Sequence, residues 1–351
     1  MPVIAKTALL FAVFSFATVV AQGTAFAVAG GGEKTGVVRM HKPTAHKSTA
    51  HKSRIAPLAS KAAVMHVTLR RPVTTLAPKS VPVFSANRLA LQSGSALVVE
   101  QDAGDAIFQK NADLVAPIAS ITKLMTAMVV LDSAPNLQAP ITISEEDVDF
   151  LRGSRSRLQV GAVLTRETAL LLALMSSENR AAHALARHYP GGIQAFLVAM
   201  NIKAQALGMR DTRFEDPTGL TSSNQSTAND LAKMVGAAYR YPLIREWTTT
   251  SEAIVDVSGR EMAYHNTNPL VKSPAWDVGL SKTGYIHEAG KCLVMLARVA
   301  DRAVVIVLLD SVGKLTRVGD ANRIKRWLER AHAEHRLPVR SAVLSTLPRG
   351  A

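Results

Sequence analysis

The sequence predicts an α+β domain built on one antiparallel sheet, with an inserted helical subdomain between its strands. Short β-rich runs occur at both ends of the region that starts near residue 90, and helical patterns fill the interval between them. Strands from the two ends can pair in one sheet if the helical segment between them folds beside that sheet. We therefore expect an antiparallel sheet flanked by helices.

The strands are predicted from short apolar runs bounded by turn residues. The runs 95–100 and 106–110 flank a segment with Gly104 and predict a hairpin. Asp301 and Arg302 predict a tight turn between two of the later strands. These later strands are expected at 278–282, 293–299 and 303–309.

Helical patterns cover the middle of the chain. Pro117 suits the start of a helix that reaches Leu131, because the first turn of a helix tolerates proline. Thr227 and Asp230 have the spacing of a capping box. The other helices are expected at 165–188 with an interruption at 176–179, at 193–207, at 227–239 and at 324–333.

Residues 1–27 have the pattern of a secretory signal peptide. Lys6 precedes the apolar run 8–20, and Ala25-Phe26-Ala27 fits the small-x-small cleavage site. The run is too short for a membrane span, which needs about 20 apolar residues. We expect an exported, periplasmic protein, with peripheral association with the wall or membrane left open.

Residues 28–90 predict a basic disordered linker. They contain 11 Lys or Arg residues against the single acid Glu33, together with three His-Lys pairs and recurring prolines. The His-Lys pairs permit metal binding, but a solvated cationic segment explains them equally and is favoured. We expect weak, salt-dependent contact with polyanions of the envelope, whereas export argues against nucleic acid.

The remaining segments, 91–332 and 333–351, are assigned to one folded domain and a C-terminal tail. Cys292 is the only cysteine, which excludes an internal disulfide, and its apolar neighbours predict a buried residue. Histidines and acids do not cluster in the sequence, so no metal site and no cofactor are expected.

Ser120 and Lys123 are the first candidate catalytic pair. On a helix they lie one turn apart on one face, where lysine can act as the base that a serine nucleophile needs. A helix N-cap explains Ser120 equally well from this motif alone. The same spacing at Ser311 and Lys314 follows a strand and contains glycine, which makes a fixed pairing doubtful.

Two further motifs support a catalytic role for Ser120. Ser177 and Asn179 lie in the break between helical stretches, where a hydroxyl and an amide can relay a proton and hold a substrate amide. Lys282-Thr283-Gly284 ends a predicted strand, and its glycine permits close approach of a ligand. The alternatives lie at 34–36, 85–87 and 222–224, of which only the last falls in the correct interval.

The ordered set Ser-x-x-Lys, Ser-x-Asn and Lys-Thr-Gly resembles the penicillin-binding proteins and class A β-lactamases. The chain is most similar to the low-molecular-mass D-alanyl-D-alanine peptidases, and within them to the endopeptidase branch of penicillin-binding protein 7. This resemblance implies a β-lactamase/transpeptidase-like fold over about residues 90–332, and it favours Ser177 over Ser222. It rests on the segments 119–127, 174–182, 216–220 and 282–285.

The resemblance also implies the residue roles. Ser120 would become acylated, Lys123 would act as general base, and Ser177 would pass the proton to the leaving amine. The substrate would be bound by Asn179, Lys282, Thr283, Gly284 and Tyr285, the last through its backbone N–H in the oxyanion hole. Peptidoglycan peptides would be the substrates, and β-lactam antibiotics would be covalent inhibitors.

The branch rests on two positions and on the length of the C-terminus. Family carboxypeptidases have Gly and His where this chain has Glu178 and Tyr285, and they carry a further β domain after the catalytic domain. We therefore expect cleavage of D-alanyl-meso-diaminopimelate crosslinks. The alternatives are a D-alanyl-D-alanine carboxypeptidase, a β-lactamase using Glu215 or Asp216, and a non-catalytic wall-binding module.

Overall fold

The computed structural model describes residues 89–101, 106–313 and 315–336. The predicted signal peptide, most of the linker and the end of the C-terminal tail lie outside these residues. Among the helices of the described residues, none combines the length and the apolar character needed to cross a membrane.

The central sheet has five antiparallel strands in the order β2-β1-β11-β10-β9. The predicted hairpin is present, and the tight turn at Asp301 joins two adjacent strands. The lysine-threonine-glycine motif lies inside the edge strand and not at its end, because that strand continues to Ile286. The strands are β1 (Ser93–Glu100), β2 (Ala106–Lys110), β9 (Asp277–Ile286), β10 (Gly290–Val299) and β11 (Arg302–Ser311).

Alternating side chains of the sheet enter two hydrophobic layers. Val305 and Val307 face the layer formed with most of the helices, whereas Ile306 and Leu308 face the layer formed with the last helix. Both faces are therefore covered, which explains why these strands are almost continuously apolar in sequence.

In the described part of the chain, six helices occur between the strands of the sheet and a seventh follows it; the helix at 242–249 was not expected from the sequence. Thr227 caps α5 by accepting a hydrogen bond from Asp230 N, but the predicted capping box is incomplete, because the Asp230 carboxylate accepts from Asp211 N and Thr212 Oγ1 instead. The helices are α1 (Lys123–Asp132), α2 (Arg166–Met175), α3 (Asn179–Arg187), α4 (Gly192–Ala206), α5 (Ala228–Ala238), α6 (Pro242–Thr249) and α7 (Thr316–Arg336).

Within the residues that the structure describes, three small two-stranded sheets supplement the central one. The hairpin of β7 and β8 was not expected from the sequence, although Ser258-Gly259 is a turn signal between two half-buried strands. The strands are β3 (Ala116–Pro117), β4 (Pro140–Thr142), β5 (Val163–Thr165), β6 (Gln225–Ser226), β7 (Glu252–Val257) and β8 (Arg260–His265).

Two helix predictions need correction. Ser120 does not lie in an α-helix, because Ala119–Thr122 form a 3₁₀ turn and α1 starts only at Lys123. The closing helix begins at Thr316, eight residues before the expected start, because its first turns pack against β10 and β11. Its side chain Asp320 is buried and accepts hydrogen bonds from the backbone N–H and hydroxyl of Ser93, which fixes the start of β1.

Candidate active site

The catalytic serine candidate is presented by a strained turn. Ala119 has a positive φ of 49°, which turns the chain sharply between β3 and α1. Ser120 stays partly exposed while both of its neighbours are buried. The 3₁₀ turn still places Ser120 and Lys123 one turn apart, and Lys123 Nζ lies 2.9 Å from Ser120 Oγ.

Lys123 is buried with neutral partners only. Its ammonium group also donates to Asn179 Oδ1 at 2.7 Å and to the carbonyl oxygen of Thr218 at 2.7 Å. Burial lowers the pKa of Lys123 to about 7, although the more distant charges of Asp216 and Glu178 act to raise it. A large share of Lys123 is therefore neutral near pH 7 and able to accept a proton from Ser120.

Ser177 and Lys282 form the second polar pair of the site. Ser177 lies in the break between α2 and α3 with a φ of 64°, a strained conformation for a non-glycine residue. Lys282 Nζ lies 2.9 Å from Ser177 Oγ and 2.9 Å from the carbonyl oxygen of Thr283. Burial, reinforced by the positive charges of Lys123 and Arg317, holds the pKa of Lys282 well below its usual value.

Asn179 links the two sides of the site. Its Oδ1 accepts from Lys123, and its Nδ2 donates to Ser154 Oγ at 3.0 Å. Because Asn179 is the first residue of α3, its position is set by the start of that helix. The amide is thus oriented from both ends before any substrate arrives.

The edge strand β9 approaches the nucleophile closely. A Cβ atom on Gly284 would lie 2.9 Å from the carbonyl oxygen of Ile118 and 3.1 Å from Ser120 N, so a side chain there would displace the nucleophile turn. Gly219 is packed even more tightly, because its Cβ would fall 1.9 Å from the carbonyl oxygen of Ala119. Both glycines bring backbone within reach of Ser120.

The other residues predicted on β9 also border the cleft, by which we mean the space between Ser120, the Ser176–Asn179 break and β9. Thr283 Oγ1 lies 2.6 Å from Thr267 Oγ1, which orients its hydroxyl. Tyr285 is 58% exposed, and Lys291 Nζ lies 4.1 Å from the centre of its ring. Contacts join Ser120 to Lys123 and Asn179, and Ser177 to Lys282, whereas Thr283, Gly284 and Tyr285 are placed by following Lys282 on β9.

Sequence reasoning missed Arg317. Its Nη1 donates to the carbonyl oxygens of Gly284 and Cys292, each at 3.0 Å, behind the motif-bearing strand. The predicted burial of Cys292 is confirmed, and burial raises the pKa of its thiol to about 11. Arg317 precedes no motif and has no diagnostic spacing, so only the packing of α7 against β10 reveals it.

The backbone oxygen of Thr218 and the hydroxyl of Ser154 were missed as well. A backbone acceptor carries no residue-type signal, and Ser154 contacts Asn179 only because the segment before β5 folds onto the start of α3. Over residues 89–101, 106–313 and 315–336, no three His, Cys, Asp or Glu side chains converge to hold a metal.

Of the competing serines that the structure describes, neither Ser222 nor Ser311 is hydrogen-bonded to a residue of this cleft, and the motif at 85–87 lies outside the described residues. Ser311 Oγ lies 2.7 Å from Ser93 Oγ inside the sheet, and Lys314 lies outside the described residues. The loop at 222–224 contributes Asn224, whose buried amide oxygen accepts from Glu215 N and Asp216 N. Asn224 therefore shapes the Asp216–Leu220 loop and does not itself touch Ser120 Oγ.

Chemically, the cleft provides a partly exposed hydroxyl next to a buried amine with a lowered pKa. It also provides a second hydroxyl held by a second buried lysine, and strand backbone with close access to the first hydroxyl. This arrangement can activate a serine, stabilise developing negative charge and move a proton to a leaving group.

Comparisons with known proteins agree with this chemistry. The sequence profile of Peptidase_S11, D-alanyl-D-alanine carboxypeptidase, matches residues 82–313. A D-alanyl-D-alanine endopeptidase of Pseudomonas aeruginosa is 50% identical over 241 residues, which cover 68% of this chain and 78% of that protein. One of Escherichia coli is 43% identical over 269 residues, covering 76% and 86%.

The fold is also similar to that of a solved relative. The Streptomyces K15 DD-transpeptidase superposes with a TM-score of 0.64 at 30% identity, over 68% of this chain and 97% of that chain. The predicted transpeptidase-like α+β fold is confirmed. The chain therefore belongs to the Peptidase_S11 family of serine D-Ala-D-Ala peptidases.

Proposed function

We propose that this protein is a periplasmic D,D-endopeptidase that hydrolyses D-alanyl-meso-diaminopimelate crosslinks of peptidoglycan through an acyl-enzyme on Ser120. The observation that carries the proposal is the contact between Ser120 Oγ and the buried, low-pKa amine of Lys123. The high identity to two proteins named D-alanyl-D-alanine endopeptidase supports the choice of bond.

In the first half-reaction, Ser120 Oγ attacks the carbonyl carbon of the D-alanyl residue, and its proton passes to neutral Lys123. The negative charge on the carbonyl oxygen is stabilised by the backbone N–H groups of Ser120 and Tyr285. As the C–N bond breaks, Ser177 gives its hydroxyl proton to the leaving amine and receives the proton held by Lys123, so Lys123 is neutral again. This leaves the D-alanyl ester of Ser120 and a free amine on the acceptor peptide.

In the second half-reaction, water hydrolyses the ester. Lys123 accepts a proton from the attacking water and later returns one to Ser120 Oγ, so the enzyme is regenerated. The carboxylate beside the leaving amine is held by Lys282 and Thr283, whose polar groups converge on the cleft. Asn179 holds the amide of the donor peptide.

The decisive experiment is digestion of purified crosslinked muropeptide dimers next to pentapeptide monomers, followed by chromatography. We expect dimers to be converted to monomers without release of free D-alanine. Release of D-alanine from the monomers without dimer cleavage would instead indicate a carboxypeptidase, the function named for the family and for relatives about 30% identical to this chain.

The nucleophile is tested with Ser120→Ala. Removal of Oγ should abolish covalent labelling by a fluorescent penicillin, because a β-lactam acylates the same atom. Ser311→Ala is the matched control, since Ser311 has the same motif spacing but lies in the sheet. Labelling that persists in Ser120→Ala and disappears in Ser311→Ala would show that Ser311, and not Ser120, is the nucleophile.

The proposed location depends on residues 1–27, whose pattern supports export and cleavage after Ala27. Mass spectrometry of the protein from a periplasmic extract should find Val28 at the N-terminus. Full-length protein retained in the cytoplasm would contradict this part of the proposal.

The basic segment 28–90 is proposed to contact envelope polyanions, on the strength of its excess of ten positive charges. Its deletion should weaken binding to whole sacculi at low salt and leave turnover of soluble muropeptides nearly intact. Loss of soluble turnover would show that the segment belongs to the fold.

A further inference from the structure

An ion pair lies beside the cleft and has no part in the mechanism above. Arg152 Nη2 lies 2.9 Å from Glu288 Oε2, and the two side chains are 23% and 45% exposed. Arg152 Nε also donates to the carbonyl oxygen of Leu220. The pair thereby joins the segment before β5, the Asp216–Leu220 loop beneath Ser120 and the turn between β9 and β10.

Arg152 is held in place by its own segment. Asp149 Oδ1 accepts from Arg152 N at 2.9 Å, and Asp149 Oδ2 accepts from Ser154 N at 2.9 Å. The hydroxyl of Ser154 in turn accepts from Asn179, which is part of the catalytic cleft. The backbone that carries Arg152 is therefore anchored to the cleft through two successive contacts.

Glu288 follows the strand along which a substrate peptide would lie. β9 is the edge of the central sheet, so its outer side can pair with an extended peptide. With the carboxylate of the leaving residue at Lys282 and the scissile carbonyl at the backbone N–H groups of Ser120 and Tyr285, the donor peptide continues toward Ile286. Glu288 is three residues beyond Tyr285, at most about 10 Å along the chain.

The chemistry of the pair suits a ligand with both charges. An exposed ion pair contributes little to stability, so a ligand that replaces each partner with an equivalent charge can separate it at low cost. The planar guanidinium of Arg152 matches a carboxylate, and the carboxylate of Glu288 matches an ammonium group. An α-amino-acid end carries these two groups on one carbon atom.

We propose that Arg152 and Glu288 form a subsite for the zwitterionic end of the donor side chain that precedes the D-alanine. In a diaminopimelate-containing donor, the side-chain carboxylate binds Arg152 and the side-chain ammonium binds Glu288. This subsite rests on the proposed endopeptidase function, because it reads the residue next to the D-alanine that is transferred to Ser120.

The test uses three crosslinked dimers with one common acceptor peptide. The donor residue is diaminopimelate, lysine, which lacks the carboxylate, or diaminopimelate acetylated on its side-chain amine, which lacks the ammonium charge. The ratio of kcat/KM between two dimers is measured on each protein, so that a defect common to both substrates cancels. Each lost contact should cost roughly tenfold, the worth of one partly exposed charge-assisted hydrogen bond.

The variants should separate the two contacts. Arg152→Gln should remove the preference for diaminopimelate over lysine, and Glu288→Gln should remove the preference for diaminopimelate over its acetylated form but keep the first preference. Arg155→Gln is the matched control, because Arg155 is an exposed arginine of the same segment and should keep both ratios.

Different outcomes of this test would contradict the subsite and the proposed endopeptidase function. If the unmodified protein cleaves none of the dimers, the proposed function fails. If it cleaves them with equal efficiency, or if Arg152→Gln and Arg155→Gln change the ratios alike, only the subsite is overturned. The subsite is also overturned if, in dimers whose donor and acceptor residues are exchanged, the preference in kcat/KM depends on the acceptor residue and not on the donor residue.

Discussion

Two buried ionisable residues in this molecule have opposite surroundings. Lys123 in the cleft contacts only neutral acceptors, and burial lowers its pKa to about 7. Asp147, behind α3, lies 2.8 Å from both Arg187 Nη2 and His183 Nδ1. Burial alone would raise the pKa of Asp147, but hydrogen bonds from His183, Arg187 and Ser144 N hold it at about 2.

The different surroundings indicate that Asp147 contributes to stability and Lys123 to function. A buried charge with matching partners contributes to the folded state once it is formed, whereas a buried cation without a carboxylate in contact opposes folding. Lys123 is buried without a carboxylate partner because this burial favours the neutral amine, which is the base that Ser120 requires.

Lys123→Met should lower the rate of acylation by penicillin about 10³-fold, because the general base is lost. The same variant should unfold at a higher temperature, since a buried amine without a carboxylate partner is replaced by an apolar chain of similar volume. Both are measured on one preparation, by fluorescent labelling and by thermal unfolding.

Lys203→Met is the control for that variant, because Lys203 is paired with Asp132 at 2.6 Å away from the cleft. It should retain acylation and gain no stability. A destabilised Lys123→Met protein would show that the three contacts of Lys123 outweigh its burial.

The rate of acylation should increase about 100-fold from pH 5 to pH 8 and then level off. The proton on Lys123 is lost as the pH rises through about 7, and below that value each pH unit reduces the neutral fraction tenfold. The measurement is the second-order rate constant with a penicillin at each pH. A flat profile would contradict the role of Lys123 as base.

Asp147→Asn should reduce the free energy of unfolding by about 3 kcal/mol, because Arg187 keeps its charge and loses its buried carboxylate partner, while the more distant Glu146 is exposed. Urea unfolding measures this change. Asp277→Asn is the control, since Asp277 is exposed and lies 3.7 Å from Arg298, and it should change stability by less than about 0.5 kcal/mol. Equal effects of the two variants would contradict the expected difference between a buried and an exposed ion pair.

Asp147 should also account for part of the acid unfolding. Because its pKa is lower in the folded state, its contribution is complete above pH 4 and is lost as the pH falls from about 4 to about 2. This contribution amounts to about 2 kcal/mol from a shift of nearly two pKa units. Asp147→Asn should therefore flatten the stability profile in that interval, as measured by urea unfolding at each pH.

Sequence reasoning succeeded where short-range spacing decides geometry. Ser120 and Lys123 are in contact because residues three apart lie on the same side of a 3₁₀-helix and of an α-helix, so the wrong helix type did not affect the pairing. It failed for residues whose role depends on distant packing. Arg317 supports β9 from α7, and Ser154 meets Asn179 through a folded-over segment.

The amino-acid sequence by itself determined the α+β class, the strands of the central sheet and the order of the three motifs. These depend on apolar periodicity and on neighbouring residue types, which act locally along the chain. Only the tertiary structure decided the pKa of Lys123, the strained turn at Ser177 and the meeting of Arg152 with Glu288. These depend on burial and on contacts between distant segments, and neither is encoded at any single position.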